Sequence, residues 1–154
     1  MSDAAYEVFR AHRESQTRYT YFLLAAAGGG IALAVNQTMN HEIAWSHAPL
    51  ALAVACWGLS FYFGCRQNAY VVSHLYSNGE LLRVETGRHP LAGSHPEAIA
   101  IGSQAIRKAM ERDSERANVR GTFQFRFLVG GAVLFLAWHV LQMYLHRYPI
   151  PWLG

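Results

Sequence analysis

Three long stretches of the chain carry almost no formal charge, and this feature restricts the possible folds more than any other. Residues 19–65 contain no Lys or Arg and a single acid, Glu42, and residues 127–146 contain no Lys, Arg, Asp or Glu. A helix that crosses a bilayer needs about 20 mostly apolar residues, with a lower limit of about 17. The sequence therefore predicts three transmembrane helices, at residues 19–38, 48–65 and 121–146.

The alternative is that these stretches are helices buried in a soluble protein. Such helices usually carry a polar stripe, whereas the first two stretches are apolar all round. Charged residues make up only 15% of the chain, against about 25% in soluble domains. The fold class that we predict is all-α: a polytopic protein of the cytoplasmic (inner) membrane, whose three transmembrane helices extend into a cytoplasmic helical bundle.

The distribution of Lys and Arg predicts the orientation, because cytoplasmic loops are enriched in both. The connection 39–47 has neither, whereas residues 66–120 contain eight and the tail 147–154 contains one. Three more Arg precede the first transmembrane helix. We therefore expect residues 1–18 to be a cytoplasmic N-terminal amphipathic helix. Residues 66–120 should form a cytoplasmic helical hairpin, with 39–47 and the tail outside.

Within this hairpin, the second transmembrane helix is expected to continue past Arg66. An apolar stripe continues at helical spacing through Val72, Leu75, Tyr76 and Leu82, although Asn78-Gly79 is a candidate break.

A Gly- and Pro-containing loop at residues 87–96 should connect the two helices of the hairpin. Ser94 or His95 can cap the next helix, with Pro96 in its first turn. That helix should begin near residue 97 and continue into the third transmembrane helix, with only Gly121 marking the junction.

Small residues predict close helix packing, because in lipid they let two backbones approach each other. Several are spaced four apart, as in small-xxx-small pairs. The candidates are Ala25, Ala26, Gly28, Gly29 and Gly30 in the first transmembrane helix and Gly130 and Gly131 in the third. The helix that packs there belongs either to the same chain or to another copy.

Arg126 is the one formal charge within the transmembrane stretches and lies near the cytoplasmic start of the third. A long Arg stem can reach the headgroups from such a position. The functional alternative is a ring of Arg126 side chains at the mouth of an oligomeric pore, which would favour anions.

His139 and Gln142 are the deeper polar residues of the third transmembrane helix, and with His146 they share a face at helical spacing. A polar group in hydrocarbon needs a partner. They either bond to a neighbouring helix or line a water-filled path that conducts ions or protons.

A basic strip runs along the last cytoplasmic helix, where basic residues repeat every four positions. Its members are Lys108, Arg112, Arg116 and Arg120. The strip is a solvated helix face, a contact for anionic lipid headgroups, or a binding site for an acidic partner or a nucleotide. No interleaving of aromatic and basic residues supports nucleic-acid binding.

The residue inventory disfavours an enzyme, since it offers no paired carboxylates, no nucleophile beside a base and no cofactor motif. His41, Glu42 and His47 lack the i, i+4 histidine spacing of a helical zinc site, so we predict no metal and no cofactor. Cys56 and Cys65 lie on different helix faces and should not pair.

The order of these elements resembles that of small helical membrane effectors of bacterial antiviral systems. That resemblance implies homo-oligomerisation in the bilayer and a cytoplasmic trigger or partner, and it carries over no residue. We therefore expect an oligomeric membrane protein that forms a pore or perturbs the bilayer. The alternative is a non-conducting accessory subunit that anchors a larger membrane complex.

Overall fold

A computed structural model of the chain describes residues 3–39, 45–90 and 95–147, and every regular element in them is helical. The three long helices each contain a segment that is long and apolar enough to cross a membrane. This confirms the prediction of an all-helical chain with three membrane-sized helices. The elements are α1 (Asp3–Thr38), a one-turn 3-10 helix (Trp45–His47), α2 (Ala48–Glu85) and α3 (Pro96–Arg147).

Some of the sequence-based predictions fall on parts of the chain outside the described residues. They concern His41 and Glu42 in the connection before the 3-10 helix, the capping role of Ser94, and the tail beyond Arg147. The amphipathic face of residues 1–18 is also outside, because several side chains in the first turns of α1 are not described.

Each predicted junction between a transmembrane and a cytoplasmic segment lies inside an uninterrupted helix. The suggested break at Asn78-Gly79 is wrong, because α2 continues through it to Glu85. A single interior Gly weakens a helix by only about 1 kcal/mol relative to Ala, which good helix formers on both sides can offset. In the same way α3 continues through Gly121.

The end of α2 and the start of α3 follow local rules that the sequence displays. Gly87 adopts a positive φ of 68°, and its N–H donates to the carbonyl of Val84 at 3.0 Å, while the N–H of Arg88 donates to the carbonyl of Arg83 at 2.9 Å. These two bonds form a Schellman motif, in which Gly tolerates the left-handed conformation. At the other side of the loop, Pro96 is the first residue of α3, where its missing N–H removes no helical bond.

The chain divides into two compact units, and the first comprises Met1–Gly64 and Thr122–Gly154. Its core is built from small side chains on two helices and two large aromatic side chains. The core residues are Ala27 and Ala34 of α1, Leu50, Ala53 and Trp57 of α2, and Trp138 of α3. This alternation of small and large residues lets the helices approach closely while the indole rings fill the space between them.

The second unit, Cys65–Gly121, contains the C-terminal part of α2 and the N-terminal part of α3. Val84 is buried and lies 3.4 Å from the position that a Cβ on Gly102 would take. Polar bonds join the same two helices: Ser73 donates to Asp113 at 2.8 Å, and Arg107 forms an ion pair with Glu85 at 2.7 Å. Leu81 and Val84 are the buried hydrophobic residues among the described residues of this unit, and exposed polar pairs join its two antiparallel helices.

Candidate functional site

Trp57 of α2 is the central side chain of the first unit, and it packs against a glycine on each of the other two helices. A Cβ on Gly30 would lie 2.8 Å from its Cδ2 atom, and a Cβ on Gly131 would lie 2.6 Å from its Cδ1 and Nε1 atoms. The indole N–H donates to the carbonyl of Leu128 at 3.3 Å. Of the small residues singled out from the sequence, Gly30 and Gly131 thus contact the indole within the chain.

The other small residues singled out from the sequence lie on exposed or open parts of their helices. Ala25, Ala26 and Gly29 of α1 are exposed. A Cβ on Gly28, Gly29 or Gly130 would meet nothing within 4 Å. These positions leave open surface on α1 and α3 that another helix can approach.

Two polar residues of the first unit are fully buried, and neither was predicted from the sequence to be part of a site. Ser60 and Gln124 have no exposed surface, and the Ser60 hydroxyl donates to the Gln124 backbone carbonyl at 2.8 Å. The signal was present, since Gln124 is the lone amide within the aromatic-rich sequence FQFRF, residues 123–127.

The side-chain amide of Gln124 is buried without a hydrogen-bond partner at either its nitrogen or its oxygen among the described residues. It packs so closely on α2 that a Cβ on Gly64 would lie 2.5 Å from its Nε2 atom. A buried polar group without a partner destabilises a fold by about 1–3 kcal/mol. Gly64 is therefore the residue that makes room for this amide.

Three more buried polar atoms, on Gln37, Trp138 and Gln142, have no hydrogen-bond partner among the residues that the structure describes. They are the Gln37 side-chain oxygen near the end of α1, the Trp138 indole nitrogen and the Gln142 amide nitrogen. Trp138 and Gln142 are four residues apart, which places them on the same face of α3. Gln142 thus shares the inward face of Trp138, whereas His139 and His146 are exposed.

Arg126 lies on the opposite side of α3 from these packed residues. Gln124, Gly131 and Trp138 are buried and recur every seven residues, which marks the inward face of the helix. At about 100° per residue, Arg126 is displaced by about 200° from Gln124. Its side chain is exposed, and it forms no hydrogen bond, ion pair or ring contact with the part of the chain that the structure describes.

The basic strip lies on α3 within the second unit. Lys108, Arg112 and Arg116 are exposed, whereas Arg120 is half-buried and interacts with another residue of the chain. The Arg112 Nε–H donates to the carbonyl of Lys108 at 3.3 Å. The neighbouring acids Glu111 and Glu115 are exposed too, so the strip keeps a modest positive excess.

These features define a class of protein: an all-helical chain with three membrane-sized helices, a tightly packed apolar unit and a polar two-helix unit. Within the described ranges, no group of three or more His, Cys, Asp or Glu side chains could hold a metal ion. No protein-family model, curated protein or solved structure matches the chain.

Proposed function

We propose that the chain is an integral protein of the cytoplasmic membrane that acts by assembling several copies, and that the assembly perforates or weakens the bilayer. Residues 19–38, 48–65 and 121–146 cross the membrane in this proposal. Residues 1–18 and 66–120 lie in the cytoplasm, and the C-terminus lies outside. The uncharged stretches and the concentration of Lys and Arg in the cytoplasmic segments support this arrangement.

The observation that carries the proposal is the position of Arg126. In one chain it faces away from the packed core, near the cytoplasmic start of the proposed transmembrane segment, where its long stem can reach the headgroups. Its charge there costs less than the about 2.5–3.5 kcal/mol of an Arg at the centre of a membrane helix. Assembly around the outer face of α3 turns this charge toward water. On the same face, a Cβ on Gly130 would have nothing within 4 Å, so a second helix can approach there.

The packing within one chain supports a path between copies rather than through a single copy. Trp57 fills the space between Gly30 and Gly131, and Ser60 and Gln124 are fully buried beneath it. A ring of Arg126 side chains at the mouth of a path between copies would favour anions.

Leakage from vesicles tests this proposal. Purified protein is reconstituted into liposomes loaded with an anionic dye, and release is measured for the native chain, Arg126→Ala and Arg126→Lys. We expect the native chain and the Lys variant to release the dye, and the Ala variant to release it more slowly. Arg18→Ala is the matched control, because it removes an exposed Arg at the cytoplasmic end of the first proposed transmembrane segment.

Vesicles that contain the inserted protein and stay tight would contradict the pore proposal. Equal leakage by the native chain and Arg126→Ala would show that Arg126 does not line the path.

A second candidate function is a non-conducting accessory subunit of a larger membrane complex. It is favoured by the exposed small residues Ala25, Ala26 and Gly29 of α1, which offer a close-packing surface to a helix of another protein. Under this alternative, cross-linking in native membranes captures a different protein in fixed stoichiometry, and the purified chain leaves vesicles tight.

We propose further that a cytoplasmic trigger or partner acts on residues 66–120, in line with the element order that the chain shares with small antiviral membrane effectors. Lys108, Arg112 and Arg116 offer exposed cationic contacts for an acidic partner or for anionic headgroups. Replacing all three with Gln should weaken binding of the detergent-solubilised chain to anionic vesicles, while binding to neutral vesicles stays unchanged. Equal binding of the native and triple-Gln chains to anionic vesicles would contradict the headgroup contact.

A further inference from the structure

Within the second unit, α2 displays an apolar stripe that its own hairpin leaves uncovered. Val72, Leu75, Tyr76 and Leu82 are exposed, Tyr76 to 72% and Val72 and Leu82 to 57% each. We define these four residues, with Gly79 between them, as the α2 stripe.

The α2 stripe lies on the opposite side of the helix from the residues that pack in the hairpin. Leu81 and Val84 are the buried hydrophobic residues of residues 65–90 and 95–121. At about 100° per residue, Val84 is displaced by about 120° from Val72 and by about 140° from Gly79. This part of α2 is thus apolar on two faces, one packed and one open.

Charge favours a second copy of this chain as the occupant of the open face. Between Val72 and Leu82 the one charged residue is Glu80, and its carboxylate forms an ion pair with Arg83 of the same helix at 2.9 Å. Two identical α2 helices can therefore meet there without repulsion between unpaired like charges. The exposed face of α3 in the same unit carries Lys108, Arg112 and Arg116, and two copies would repel each other on that side. An acidic or nucleic-acid partner would have no charge to recognise on the α2 stripe.

The spacing of the α2 stripe also fits self-pairing. Val72, Leu75, Gly79 and Leu82 are separated by three, four and three residues, which is the a/d spacing of a coiled coil. A β-branched residue at a and Leu at d favour parallel two-stranded pairing, as Val72 and Leu75 provide. A Cβ on Gly79 would have nothing within 4 Å, so the two backbones can approach closely at this turn.

We propose that the α2 stripe binds the same stripe of a second copy, in parallel, and so forms the cytoplasmic contact of the assembly. Parallel pairing follows because copies inserted in one membrane share one orientation. This inference rests on the proposed assembly of copies and names the surface through which it occurs.

Disulfide cross-linking in membranes tests the inference. The native cysteines are replaced (Cys56→Ala, Cys65→Ala), and single cysteines are introduced by Val72→Cys, Leu75→Cys and Leu82→Cys. A disulfide requires Cα atoms within about 7 Å of each other. Facing thiols at a high effective concentration should therefore give about tenfold more covalent dimer than the controls.

The controls are Asn78→Cys, which is exposed on α2 beside the stripe, and Glu111→Cys, which is exposed on α3. Cross-linking at the stripe positions that does not exceed these controls would overturn the inference. The inference would also be overturned if the stripe thiols react neither with a water-soluble maleimide nor with each other. Lipid or a different protein would then cover the surface.

A second variant separates the interface from the assembly itself. Val72→Glu with Leu82→Glu places like charges opposite each other in the proposed pair, and we expect loss of the Leu75→Cys cross-link while the helical content stays that of the parent chain. Retention of the cross-link would overturn the inference. The particle mass of the native chain in lipid nanodiscs is measured in parallel. A monomer there would refute both the assembly and this interface, whereas an oligomer without stripe cross-links would refute the interface alone.

Discussion

Replacing Gly131 with Ala should destabilise the first unit, whereas the same change at its neighbour Gly130 should not. A Cβ at position 131 would lie 2.6 Å from two atoms of the Trp57 indole, and a Cβ at position 130 would meet nothing within 4 Å. On its other side the indole faces the α1 backbone so closely that a Cβ on Gly30 would lie 2.8 Å from its Cδ2 atom, so α1 leaves the ring little room to move away.

The comparison of the two variants isolates the steric effect. Both changes replace Gly with Ala inside a helix and gain up to about 1 kcal/mol of helix propensity. Only the change at 131 overpacks the core, which usually costs about 1–3 kcal/mol. We therefore expect Gly131→Ala to be less stable than Gly130→Ala by about 1–3 kcal/mol.

The free energy of unfolding is measured in a mild detergent by near-ultraviolet circular dichroism, which reports tryptophan packing. The experiment is repeated in a Trp57→Phe background, where the smaller ring leaves room for the new methyl group. The double-mutant cycle should then show a coupling of about 0.5–3 kcal/mol between positions 57 and 131. Equal stability of Gly131→Ala and Gly130→Ala, with no coupling to position 57, would refute the packing described here.

Three further predictions use the same unfolding measurement. Gln124→Met should be neutral or stabilising by up to about 1–3 kcal/mol, because an apolar side chain of similar volume replaces an amide that is buried without a partner. A clear loss of stability would show that the amide does have a hydrogen-bond partner. Gly64→Ala should destabilise the chain, and combination with Gln124→Ala should relieve the effect; additive losses would contradict the contact between them. Arg107→Ala should change stability by no more than about 1 kcal/mol, because its ion pair with Glu85 is exposed, and a larger loss would indicate a buried role.

The sequence predicted the helices well because charge and hydrophobicity decide their existence. Three apolar stretches were sufficient to predict three membrane-sized helices, and Pro96 marked the first residue of α3. The Asn78-Gly79 break was predicted wrongly, because one helix-weakening residue is outweighed by the propensity of a long helix around it.

The packing partners could not be predicted, because they depend on the rotation of each helix about its axis. The sequence does not distinguish Gly28, Gly29 and Gly30, yet Gly30 alone among them lies against Trp57. His139 and Gln142 were grouped by spacing, but the helix turns only Gln142 toward the inward side that Trp138 occupies. Gln124 could not be assigned to the core, because its residue type and spacing do not show which way α3 turns its side chain.

Alkaline extraction of membranes tests whether lipid surrounds the three apolar helices. Membranes from cells that express the chain are washed with sodium carbonate at high pH and sedimented at high speed. We expect the chain to stay in the pellet and to be released only by detergent. Its appearance in the detergent-free supernatant would contradict the membrane assignment, and the proposed assembly and pore would be refuted with it.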